Sequence, residues 1–125
     1  MKQRLAILLW ATGPDQPHLC ATPFVHAAAV AAMDAEVEVH FSSQSVLLLV
    51  PGRAAELYVG EDRRASVYDR MCEASRLGAR FFACSDALTA YSIDRSQLIP
   101  ELTGAAGAIA FAGRVLDPEW ATLVF

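Results

Sequence analysis

The chain opens with an unbroken apolar stretch: after Arg4, every residue from Leu5 to Ala11 is apolar. A run without alternation suits a central strand covered on both faces. Thr12-Gly13-Pro14-Asp15-Gln16-Pro17 ends it with turn chemistry. Thr22-Pro23 reads as an N-cap followed by a first-turn proline, which opens a helix from Phe24 to about Ala35. The small side chains of Ala27-Ala28-Ala29-Val30-Ala31-Ala32 let that helix pack close to a sheet. Glu36-Val37-Glu38-Val39-His40-Phe41 alternates polar with apolar, the pattern of a strand with one buried face. Ser42-Ser43-Gln44-Ser45 is a polar loop at that strand's carboxyl end. Val46-Leu47-Leu48-Leu49-Val50 fits a buried strand or a short helix, and Pro51-Gly52 stops it.

A charged connection over residues 53–64 leads to Ser66, which can cap the next helix. Val67, Met71, Ala74 and Ser75 share one face of that helix, and Leu77-Gly78 ends it with glycine at the left-handed position. Ala79 to Cys84 reads as the following strand, and Ser85 to Tyr91 as a short helical turn. Asp94 caps another start that Pro100 limits. Ala105 to Leu116 is helical despite Gly107 and Gly113, Asp117-Pro118 turns, and Ala121 to Phe125 is a terminal strand. Strands alternating with helices predict an α/β fold: one domain over residues 1–125, three layers α/β/α, and a mainly parallel sheet of about five strands.

Composition sharpens this picture. Apolar residues make up 54% of 125, charged ones only 19%, and the mean hydropathy is +0.32. That much apolar surface predicts a subunit interface. The net charge is −4 and no basic cluster exceeds Arg63-Arg64, which argues against nucleic acid as a partner. No apolar run is long enough to span a bilayer, so no membrane partner is expected. Met1-Lys2-Gln3-Arg4 and the run behind it imitate a signal peptide. That apolar run is short, however, and Gly13-Pro14-Asp15 makes a poor cleavage region, so the segment reads as the first strand. Three cysteines without a Cys-x-x-Cys pair predict reduced thiols and a cytoplasmic location.

Candidate chemistry centres on Cys84. It closes a strand and stands at a helix start, so it faces the crevice where open α/β sheets bind ligands. A helix N-terminus also favours a thiolate. The plainer alternative is a small buried hydrophobe. Ser85 and Asp86 cap the helix that follows, and an Asp86 carboxylate close to a thiolate would oppose it. Thr12 and Gly13 end the first strand, and Ser42 and Gln44 follow the second. These residues, with Ser85 and Asp86, are the candidate substrate-binding positions, although ordinary turn chemistry explains them too. Cys72 reads as core. Cys20 falls in the loop after the first strand, with His18 and His26 nearby, a weak candidate for a nucleophile–base pair or a metal site. No glycine-rich nucleotide loop and no G-x-S-x-G elbow occurs, so no cofactor and no metal are expected.

Three segments together carry a family resemblance. They are Arg4-Leu5-Ala6-Ile7-Leu8-Leu9, then Ala74-Ser75-Arg76-Leu77-Gly78-Ala79-Arg80-Phe81-Phe82-Ala83-Cys84-Ser85, and Leu116-Asp117-Pro118-Glu119-Trp120-Ala121-Thr122-Leu123-Val124-Phe125. In their order the chain resembles the DsrE/DsrF-like sulfur-relay proteins, which include the YchN-like proteins. The resemblance implies a three-layer fold assembled as a trimer or hexamer. It also implies a cysteine, here Cys84, that accepts sulfane sulfur as a persulfide and passes it on. The partners implied are sulfur donor and acceptor proteins or small thiols. Family carriers often have a basic residue and a glycine shortly after the cysteine, whereas this chain has Thr89-Ala90-Tyr91-Ser92-Ile93. A non-catalytic oligomeric binding or redox-sensing protein of the same fold is the alternative.

Overall fold

The opening apolar run becomes β1 (Arg4–Leu9), which lies inside the sheet with a parallel neighbour on each side. The computed structural model describes residues 3–125; Met1 and Lys2, the basic start weighed above, lie outside them. The remaining strands are β2 (Glu36–Phe41), β3 (Arg80–Ala83), β4 (Leu102–Ala105) and β5 (Ala121–Val124). They form one five-stranded sheet in the order β4-β3-β2-β1-β5, parallel throughout. The helices are α1 (Pro17–Ala32), α2 (Val67–Arg76), α3 (Ser85–Ala90) and α4 (Ala108–Leu116).

Topology decides which face each helix covers. From β1 to β4 the chain steps in one direction across the sheet, then returns past β1 to β5. Crossovers between parallel strands are right-handed, so the reversed step places its helix on the opposite face. The helices α1 and α2 therefore pack together on one side, while α4 covers the other, over β1 and β5.

The α1/α2 side holds the main core. Phe24 of α1 meets Phe41 and Phe81 with ring centroids 5.8 and 5.9 Å away. Ile7, Leu9, Val37, Val39 and Met71 are fully buried around them. A small second cluster lies under α4, made of Ala6, Phe111 and Trp120 with Leu8 against it.

Several expectations need correction. The first helix begins at Pro17, not near Phe24, because Pro17 itself takes the first-turn position. Pro23 sits inside the helix, buried beside Phe24, where tertiary packing overrides its helix-breaking tendency. Of the two alternatives for Val46–Val50 the helical one holds, as part of a 3-10 helix over Ser43–Leu49 that also takes in the expected polar loop. The fifth strand is instead β4, which was not expected, short and half exposed at the sheet edge. α4 accordingly starts at Ala108, not Ala105. The expected stop at Gly78 holds, with φ of +112°. Ser66 caps α2 as expected, its hydroxyl accepting from the Asp69 N–H at 3.1 Å.

Candidate functional site

β2 does not have one buried face; it has two. Val37, Val39 and Phe41 enter the main core, but Glu38 and His40 on the opposite face are also buried, at 3% and 4% exposure. α4 is the reason. Its Arg114 reaches back over the sheet and grips Glu38 with Nε at 3.0 Å from Oε1 and Nη2 at 2.9 Å from Oε2. Arg80 of β3 adds a contact to Glu38 at 3.3 Å and pairs with Glu36 at the rim. His40 Nε2 lies 3.1 Å from Glu38 Oε1. The His40 ring stacks on Phe82, centroids 5.4 Å apart, and meets the Phe111 ring at 5.6 Å.

Electrostatics follow from this burial. Desolvation pushes the Glu38 carboxyl up, but the Arg114 guanidinium and the His40 ring outweigh it and hold the carboxyl below its ordinary value. For His40, desolvation dominates and the Glu38 carboxylate only partly opposes it, so the imidazole lies below its ordinary value. The ring is therefore neutral near pH 7.

Register then brings the thiol to this face. His40 pairs with Phe82, and the ladder continues as the Cys84 N–H donates to the Phe41 carbonyl at 2.9 Å. Two residues beyond Phe82, Cys84 falls on the His40 side of the sheet. It is the N-cap residue of α3, half buried, and its carbonyl accepts from the Leu88 N–H. Between these strand ends and the start of α4 lies a cavity of about 460 Å³. Cys84, His40, Ser42, Gly107, Phe111 and Val115 are among its walls, and among the described residues no Lys, Arg, Asp or Glu side chain lines it. This is the carboxyl-end crevice in which open α/β sheets bind ligands, and its size falls in the ordinary range for small-molecule sites.

The residues singled out in the sequence divide into three groups. Ser42 shares the cavity with Cys84. Its hydroxyl donates to the Leu9 carbonyl at 2.8 Å, tying the ends of β1 and β2 together. Thr12, Gly13 and Gln44 lie beside that junction but do not line the cavity. Gln44 donates to the Ala11 carbonyl at 2.6 Å and packs so closely on Gly13 that a Cβ there would sit 2.7 Å from its Cδ. Ser85 and Asp86 occupy the first turn of α3, away from the cavity walls.

Cys20 is not a loop residue. It lies in α1, fully buried, with its thiol donating to the Gly13 carbonyl at 3.1 Å. Burial, then the charge of Asp15, pushes that thiol up to about 11, so it is a poor nucleophile. His18 and His26 are exposed on the same helix. Cys72 is half buried on α2 rather than wholly in the core, and burial raises its thiol as well. Among the described residues, no three His, Cys, Asp or Glu side chains gather closely enough to hold a metal ion.

Sequence reasoning missed Glu38, His40, Arg80 and Arg114. A signal was present: a strand placed inside a sheet with helices on both faces buries its polar alternation too. The polar positions of β2 therefore needed partners, and arginines on neighbouring elements were the available ones.

Solved structures that share this architecture include the following two. The E. coli protein YchN, a DsrE-like fold, superposes with a TM-score of 0.77 at 14% identity over 98% of this chain and 99% of that one. MTH1491 from Methanobacterium thermoautotrophicum, a protein of unknown function, superposes with a TM-score of 0.67 at 19% identity over 99% of this chain and 100% of that one. At such identities the likeness concerns the fold. No family model matches the chain, and no curated protein matches it either.

Proposed function

We propose that this protein is a small sulfur carrier whose Cys84 accepts sulfane sulfur as a persulfide and hands it to an acceptor thiol. One observation carries the reading: Cys84 closes β3 and lines an apolar cavity at the carboxyl ends of parallel strands. The DsrE-like architecture shared with YchN supports it at the level of fold. In the first step the Cys84 thiolate attacks the outer sulfur of a donor R–S–SH. The new S–S bond forms Cys84–S–SH as the old one breaks, and the electron pair leaves with R–S⁻. In the second step an acceptor thiolate takes the outer sulfur and the Cys84 thiolate is restored. Neither step needs an external oxidant. Covered by a neighbouring subunit, the apolar walls would keep water from the persulfide between steps.

The partners in this reading are donor and acceptor proteins or small thiols in the cytoplasm, and further copies of the chain. Ile109 and Leu116 of α4 are 89% and 84% exposed, and Val115 and Val124 are also open to solvent. Apolar surface of this kind is best covered by subunit contact, and the family resemblance implies that the assembly is a trimer or hexamer. Sedimentation velocity tests this, and a monomer at micromolar concentration would contradict it.

The wall without charged side chains favours a second reading, an oligomeric binding or redox-sensing protein in which Cys84 transfers nothing. Loading and release separate the two. The carrier reading expects the polysulfide-treated protein, freed of excess donor, to pass one sulfur per chain to an added acceptor thiol, and a second thiol then releases it from the acceptor persulfide as one sulfide while the disulfide forms. No release from wild type, or equal release from Cys84→Ser, contradicts it.

A further inference from the structure

His40 has a ring nitrogen that the protein leaves unanswered. Its side chain is 5% exposed, and Nε2 is committed to Glu38. A carboxylate only accepts hydrogen bonds, so the imidazole proton sits on Nε2 and Nδ1 carries a bare lone pair. Among the described residues, Nδ1 is the one buried side-chain nitrogen or oxygen without a hydrogen-bond partner. Buried polar groups are nearly always satisfied, and an exception calls for an explanation, of which a partner from outside the chain is one. His40 is also a wall of the Cys84 cavity.

The other polar side chain there points to the same kind of partner. The Ser42 hydroxyl spends its proton on the Leu9 carbonyl, which leaves it only lone pairs to offer. The nearby cations are occupied: Arg114 holds Glu38, and Arg80 holds Glu36 and Glu38. The remaining walls are apolar, with Leu8, Phe111 and Val115 among them.

We infer that the cavity beside Cys84 binds a neutral, largely apolar small molecule carrying one hydrogen-bond donor, and that His40 Nδ1 accepts this donor. An anion at that point would face a lone pair with no cation in the wall. Among the described residues, the position that favours it is the first turn of α4, where Gly107 and Ala108 border the cavity without a side-chain cap. For sulfur chemistry the consequence is a substrate class: an alkyl or aryl persulfide taken in its protonated form, R–S–SH, in preference to a permanently anionic donor such as thiosulfate. That last step rests on the persulfide reading of Cys84; the binding site itself does not.

The test uses three sulfur-free probes on one ring, cyclohexanol, cyclohexanone and cyclohexanecarboxylate, titrated into Cys84→Ser with its imidazole nitrogens labelled with ¹⁵N. Cyclohexanol is expected to bind at least about fivefold more tightly than the other two, the worth of one net hydrogen bond. The His40 Nδ1 resonance is expected to move upfield with the alcohol alone. In a second variant that also carries His40→Phe, all three rings still enter, but the alcohol's advantage over the ketone is lost. Equal affinity for alcohol and ketone overturns the role of Nδ1. A preference for the carboxylate overturns the neutral ligand and moves the site to the start of α4. No saturable binding overturns the inference and leaves the cavity to be covered by another copy of the chain. The probes cannot donate sulfur, so failure here and failure of sulfur loading are separate results.

Discussion

The two faces of the sheet are built to different rules. Under α1 and α2, Phe24, Phe41 and Phe81 interlock with aliphatic side chains, and among the described residues no charged group intrudes. Under α4, the same strands bury a carboxylate, an imidazole and parts of two arginines, and leave an open cavity beside a thiol. The difference teaches where stability and chemistry reside. A close-packed apolar layer holds the strands in register. A thinly covered polar layer holds a few groups at fixed positions, at the cost of desolvating them.

Substitutions can break this contrast, beginning with the most damaging. Phe81→Ala removes a fully buried ring from the packed face and is expected to lose about 3–5 kcal/mol in denaturant unfolding. Where that variant remains folded, its Cys84 should load sulfur at the wild-type rate per folded molecule. Arg114→Leu strikes the other face and exposes Glu38 to an uncompensated burial cost. A fully buried pair would lose ~3–5 kcal/mol. Arg114 is 36% exposed and Arg80 and His40 remain, so about 2 kcal/mol is expected. Adding Glu38→Leu should recover part of that loss, which a double-mutant cycle measures.

His40 gives a smaller, pH-dependent effect. Its folded value is depressed, so the unfolded chain takes up the proton first as pH falls. The stabilisation is complete above about pH 6.5 and declines below it, by at most ~1.4 kcal/mol per pH unit, until the folded imidazole also protonates. Glu38, likewise depressed, adds a second decline below about pH 4.3. His40→Phe is expected to flatten the first decline in unfolding curves taken between pH 7 and 5. An unchanged slope would contradict the buried neutral imidazole. The smallest effect belongs to the packed side: Ser66→Ala removes the α2 cap and is expected to cost about 1 kcal/mol without touching the cavity.

Much of the fold was legible because the relevant signals are local. Leu5 to Leu9 and Phe81 to Ala83 announce strands by their runs, and Ser66 and Gly78 mark the ends of α2 by capping and left-handed geometry. β4 was hidden because Leu102-Thr103-Gly104-Ala105 has little β preference and pairs only at an edge. The start of α1 was hidden because Pro17 and Pro23 both look like first-turn residues, and only packing chooses between them. At the site, Cys84 could be placed from its strand-to-helix junction. Its neighbours could not, since Arg114 meets Glu38 across 76 residues of chain and a cavity wall has no signature in sequence.

The central claim is that the thiol on the thinly covered face, and neither of the other two, takes sulfur. Intact-mass measurement after incubation with a polysulfide tests it on wild type, Cys20→Ser, Cys72→Ser and Cys84→Ser in parallel. The expected result is a gain of one sulfur in the first three and none in Cys84→Ser, with all four folded by circular dichroism. A gain that persists in Cys84→Ser and disappears with Cys72→Ser or Cys20→Ser would contradict the account.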